Sequence, residues 1–273
     1  GASLLGLFIF SNVVALAAAG ALAVLAWLEY LPERGPLWKR VAGWGIIGAG
    51  LIGMVILTWV WLRTSANYDI SLAEKSSGWV QLIVQKLGRT WRGPLVIGYG
   101  ITRPLLPAAL IETSAWLPKL LYTWRSLGWY LMLPFLLFGI LTTWRITETR
   151  SRRVITWITI FCWVWVIVSS ARGGGDASDN PRYRVIFLVF MALVSAWAYT
   201  TAVRQHNPWL GRLGIMEGIF LLALTIWYVG RYLNIFPVPS ILGILGFSLG
   251  GILIVLLLGL WVDRRKLYPK GIE

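Results

Sequence analysis

Two stretches of this chain, 4–28 and 241–262, contain no charged side chain at all. About 20 apolar residues in a helix cross a hydrocarbon core about 30 Å thick. With 58% hydrophobic residues and a mean hydropathy of +0.71, the chain has more apolar surface than one water-soluble core can hide. Lipid removes that difficulty, and inside lipid the backbone satisfies its own polar groups most simply as helix. A strand barrel would show alternating segments of about ten residues, and the runs here do not alternate. The expected fold is therefore all-α: a polytopic transmembrane helix bundle with interfacial amphipathic helices.

Seven runs read as spans, at about 4–28, 42–62, 127–144, 154–170, 185–203, 213–230 and 240–262. The whole of 1–273 is read as one transmembrane domain. Its region 63–126 is an interfacial and re-entrant part on the outer face. Within it, Trp79, Val80, Ile83, Val84, Leu87 and Trp91 recur at helical spacing against Lys75, Gln81, Gln85, Lys86 and Arg89. That pattern fits a helix lying in the interface. A second such segment is 115–126, where Trp116, Leu120, Leu121 and Trp124 oppose Lys119 and Arg125. Between them, 94–112 is apolar but carries Arg103, Pro104 and Pro107. An arginine at the bilayer centre costs about 2.5–3.5 kcal/mol on insertion scales, and proline breaks a helix. The segment is expected to be interrupted and to return to the outer side. The rival count makes it an eighth span and moves the N-terminus inside.

The net charge of +14 comes from 25 basic and 11 acidic residues. The basic residues gather in the connectors 145–153 and 204–212 and in the tail after 262. Seven single crossings put these three on one side, and the positive-inside rule makes that side the cytoplasm. The C-terminus is then cytoplasmic, most simply in a plasma (inner) membrane, and 171–184 and 231–239 face outward. Membrane lipids are the partners this charge pattern implies, and nucleic acid is not. The 18 Trp flank many of the runs, which suits an aromatic belt at the headgroups. Cys162 is the single cysteine and His206 the single histidine. A disulfide, a cysteine-based metal site and bis-histidine haem within the chain are thereby excluded, and no cofactor is implied. Arg231, at the end of a run, is expected to reach the outer headgroups. Glu217, near the start of the same run, is expected to pair with Arg212 or Arg204.

The connector 171–184 holds three consecutive glycines, then Asp176 and Asp179, then Arg182, Tyr183 and Arg184 at the mouth of a span. Glycines permit close backbone approach, and guanidinium groups at headgroup depth suit a phosphate. A solvated outer loop with its arginines on lipid headgroups is the plainer reading of the same residues. Arg103 is a further candidate for an outward cavity.

The run Asn180, Pro181, Arg182, Tyr183, Arg184 ahead of an apolar helix resembles the late region of GT-C-type membrane glycosyltransferases of the protein O-mannosyltransferase and aminoarabinose transferase kind. The stretches 99–107 (YGITRPLLP) and 126–134 (SLGWYLMLP) are similar to the later half of large bacterial glycosyltransferase or polysaccharide-polymerase-like membrane proteins. The resemblance covers about 95–205. It implies a transferase using a polyprenyl-phosphate sugar on the non-cytoplasmic face, with Arg182, Arg184, Tyr183, Arg103, Asp176 and Asp179 toward the substrate. The family's catalytic acid lies in the first outer loop. Here Glu29 and Glu33 follow the first run on the cytoplasmic side. The resemblance therefore implies the C-terminal half of such an enzyme, or a relative that has lost activity, with the catalytic residue unassigned. The other function considered is a non-catalytic, Trp-rich subunit of a larger membrane assembly, packed against other membrane subunits. No repeat supports a transporter.

Overall fold

The computed structural model describes residues 12–30, 36–39, 41–43, 45, 48–49, 52–53, 56, 60, 92–111, 115–173, 182–234, 237 and 240–267. Among them the chain is all-helical, without a strand. The helices are α1 (Asn12–Tyr30), α2 (Arg92–Thr102), α3 (Leu106–Ile111), α4 (Trp116–Thr142), α5 (Thr149–Gly173), α6 (Arg182–Val185), α7 (Leu188–Arg204), α8 (Trp209–Leu233) and α9 (Ile241–Leu267). A tighter helical turn, Thr143–Arg145, extends α4.

Among the described residues four segments are long and apolar enough to cross a membrane: Trp116–Arg145, Arg150–Ala171, Trp209–Leu233 and Ile241–Arg264. They carry four of the seven expected spans. The expected 185–203 is the shorter helix α7, and the expected 4–28 is described only from Asn12 onward. Most of 42–62 and all of 61–91, with the expected interfacial helix, lie outside the described residues.

The chain divides into two compact units. The first is Gly1–Ile101 with Thr143–Phe190, and the second is Thr102–Thr142 with Met191–Glu273.

In the first unit α1 packs on α5 through Val24, Leu28 and Trp157. Small residues make this approach close: Ala17, Ala18 and Ala21 are all buried on α1. Helices in lipid associate through such packing, since lipid tails are as apolar as the helices themselves. The Trp157 indole then needs a partner, and its Nε1 donates to the Ala21 carbonyl at 3.3 Å. Further along α5, Phe161 and Trp165 meet Phe187 edge-on, with ring centroids 4.9 and 4.7 Å apart. These contacts fasten the segment after α6 to α5.

In the second unit α4, α7 and α8 meet around Phe138, Ala198 and Ala202, with Phe135, Trp197, Trp209, Leu210 and Leu213 against them. Helix α3 packs on α4 and α8, and α9 packs on α8. Most of α9's large side chains, including Phe247, Leu249, Leu253, Ile254 and Leu257, remain exposed. A helix apolar on its exposed side is what a lipid-facing span requires.

Two expectations about local structure are answered here. The segment 94–112 is interrupted: α2 stops at Thr102, Arg103–Leu105 are not helical, and α3 begins at Leu106. The separate interfacial piece 115–126, by contrast, does not exist as such. It is continuous with the following span in α4. Ser126, buried, bonds back to the Tyr122 carbonyl at 3.0 Å, and the helix runs on past both Gly128 and Pro134.

Candidate functional site

The expected ligand-binding connector ends in α6, which carries Arg184. Arg184 is buried, and its Nη2 donates to the Gly100 carbonyl and to Ser170 Oγ, the latter at 3.3 Å. Each partner follows from local structure. Helix α2 ends at Thr102, so the carbonyl of Gly100 belongs to the last turn, where oxygens lack partners within the helix. That end of a helix carries partial negative charge, which favours a cation. Ser170 lies near the end of α5 and is buried.

Glycine at position 100 is needed for this arrangement. A Cβ there would sit 2.7 Å from the Ser170 carbonyl oxygen, 2.8 Å from its Cβ and 2.9 Å from its Cα. Real side chains do not reach such distances, so the bare α-carbon is what lets α2 lie against α5. The close approach in turn brings Gly100 O and Ser170 Oγ within reach of one guanidinium nitrogen.

Of the residues expected at the site, the structure gives Arg184 two partners, Gly100 and Ser170, that were not expected there. Arg182 and Tyr183 open α6, and their side chains lie outside the described residues, as do Asp176 and Asp179. Arg103 is buried in the break between α2 and α3 and belongs to the second unit. Beside it the Tyr130 hydroxyl of α4 donates to the Thr102 carbonyl, the last of α2. Among the described residues no group of three or more His, Cys, Asp or Glu could hold a metal ion.

A second polar cluster was not foreseen. Arg212 donates from Nη1 to Asp263 Oδ2 at 2.8 Å and from Nη2 to Oδ1 at 2.9 Å. Trp209 Nε1 also donates to Oδ2, at 2.8 Å, and the Arg212 guanidinium lies 4.8 Å from the Trp209 ring centre. The expected pairing of Arg212 with Glu217 is thereby corrected. Helical neighbours on one face are three or four residues apart, and Glu217, five residues on, turns away from Arg212. Asp263 approaches from α9 beside Gly259, where a Cβ would lie 3.1 Å from Arg212 Cδ. The start of α8 and the end of α9 therefore lie at the same end of an antiparallel pair. The sequence signal was an Asp directly after an uncharged run, with a glycine four residues before it.

Three comparisons, with protein-family models, curated proteins and solved structures, each return no match.

Proposed function

We propose that this chain is the C-terminal membrane part of a lipid-linked sugar transferase, holding a polyprenyl phosphate on the non-cytoplasmic face. The reading takes seven spans, a cytoplasmic C-terminus and a plasma (inner) membrane. The observation that carries it is the bonding of Arg184 to Gly100 and Ser170. That contact fixes the position of α6, the helix that begins with Arg182 at the end of the glycine-rich connector. In this reading Arg184 is a positioning residue and Arg182 is the group that meets phosphate. A charge-assisted hydrogen bond contributes about 1.5–3 kcal/mol. Arg182→Ala then weakens polyprenyl-phosphate binding by about tenfold or more, and Arg182→Lys restores it in part because an ammonium lacks the planar fork. Binding is measured on the purified protein and its variants in one detergent. No catalytic residue is assigned.

A specific observation favours a second reading, a non-catalytic subunit of a larger membrane assembly. The first turns of α4 expose Trp116, Leu117, Leu120, Leu121 and Trp124 together. Large aromatic side chains suit contact with partner helices. Equal polyprenyl-phosphate binding by the wild type and Arg182→Ala, or none by either, selects this reading.

A further inference from the structure

We propose that the C-terminal end of α8 is a binding site for a lipid phosphate, with Arg231 as the anion-binding group on a wall of Trp227, Tyr228 and Tyr232. This inference stands on the second unit alone and does not depend on the α6 reading.

Two exposed side chains at this helix end each rest on a buried ring one turn earlier. The Arg231 guanidinium lies 5.0 Å from the centre of the Trp227 ring. Tyr232 stacks on Tyr228, with ring centres 5.8 Å apart and planes 6° from parallel. The two buried rings also brace each other: Trp227 and Tyr228 meet edge-on at 5.0 Å and 90°. Arg231 and Tyr232 are exposed on this base. The helix end itself is set by Asn234, which takes a left-handed conformation (φ 52°, ψ 32°) and returns its N–H to the Gly230 carbonyl. Asparagine tolerates that conformation better than most residues.

The chemistry of the ligand follows from what is held and where. A guanidinium offers a planar fork of N–H donors that matches phosphate oxygens. Holding it against a ring removes part of the entropy cost of ordering a long side chain on binding. Among the described residues no carboxylate pairs with Arg231, in contrast to Arg212. Arg231 stands in the last turn of α8, at the end of the candidate span Trp209–Leu233. A cationic fork at the end of a helix long and apolar enough to cross a membrane fits an amphiphile: a phosphate ester carried on an acyl or prenyl chain. The exposed Tyr232 ring gives its glycerol or sugar a flat apolar face. An ordinary belt of interfacial aromatics would exchange such lipids freely, whereas this arrangement retains one.

Native mass spectrometry of the purified full chain tests the proposal. The protein is incubated separately with phosphatidylglycerol, a polyprenyl phosphate and phosphatidylcholine, then stripped with detergent in steps. The wild type is expected to retain at least one of the two anionic lipids about tenfold more than phosphatidylcholine. Arg231→Ala and Arg231→Gln are expected to lose that preference, and Arg231→Lys to keep a part of it. Arg231→Gln preserves most of the stem's packing, so its loss of preference reports the charge and not the fold. Preference for phosphatidylglycerol identifies a bilayer lipid as the ligand, and preference for the polyprenyl phosphate a lipid carrier. Undiminished retention of both anionic lipids by Arg231→Gln, or no preference in the wild type, overturns the proposal.

Discussion

Arg212 and Asp263 meet in a two-pronged ion pair that ties the start of α8 to the end of α9. The geometry is the one in which both terminal guanidinium nitrogens and both carboxylate oxygens are used, and Trp209 adds a third donor. The two side chains are 15% and 30% exposed, so solvent screens the pair in part. Asp263→Ala is expected to destabilise the protein by about 1–3 kcal/mol, since it also strands the Trp209 N–H. Arg212→Lys is expected to recover less than half of what Arg212→Ala loses. A double-mutant cycle on thermal unfolding in detergent measures the coupling; additive losses from Arg212→Ala and Asp263→Ala would show that the pair contributes nothing.

The contact between α2 and α5 predicts a sharp response to the smallest possible side chain. Gly100→Ala places a methyl carbon 2.7 Å from the Ser170 oxygen, and both that oxygen and the nearby Cα are backbone atoms. The helices must separate, which takes Gly100 O away from Arg184. A loss of about 1–3 kcal/mol is expected from such overpacking. Ser170→Gly removes only one of the three clashing atoms, so the double variant should recover little. Unfolding midpoints of the three variants provide the check, and an unchanged midpoint for Gly100→Ala would rule out the close approach.

Tyr130→Phe removes the donor that reaches the Thr102 carbonyl at the break beside Arg103. Aromatic packing is kept, so the expected cost is about 0.5–1.5 kcal/mol for one hydrogen bond. Hydrogen exchange at 102–106 should rise in the variant relative to the rest of the second unit. Uniform exchange in both proteins would mean that the hydroxyl does not hold this turn.

The proposed orientation predicts that a tag inserted in 173–179 is labelled from outside intact cells and a tag after Lys270 is not. The antiparallel α8–α9 pair puts the 204–212 connector and the tail at one end, and the positive-inside rule assigns that end to the cytoplasm. Labelling of 173–179 only after permeabilisation reverses the orientation and removes the basis for an outward site at α6.

Much of the helical character was legible because uncharged runs of this length admit few structures. The break near Arg103 was legible as well, since Arg and Pro are each poorly accommodated in a lipid-facing helix. The continuity of α4 was not. Lys119 and Arg125 gave its first turns an interfacial pattern, and nothing local says whether a helix stops between an interfacial and a spanning part. The partners of Arg184 and Arg212 were hidden for a different reason. Gly100 is 84 positions from Arg184 and Asp263 is 51 from Arg212, and periodicity along one helix carries no information about which residue of another it meets. Gly100 itself was part of a quoted motif, but only the α5 backbone beside it shows why a side chain is excluded there.

The 30 residues of Trp116–Arg145 reach about 45 Å at the helical rise, about half as long again as a typical hydrocarbon core. A helix that long answers to bilayer thickness by leaning. In a thin membrane it must tilt steeply or leave its first turns among the headgroups, with Trp116 and Trp124 wetted; in a thick one it can stand more upright and bring those rings into hydrocarbon. Because α4 also packs on α3 and α8, its lean is transmitted to the break at Arg103, so the lipid composition around this protein acts directly on the geometry of that turn.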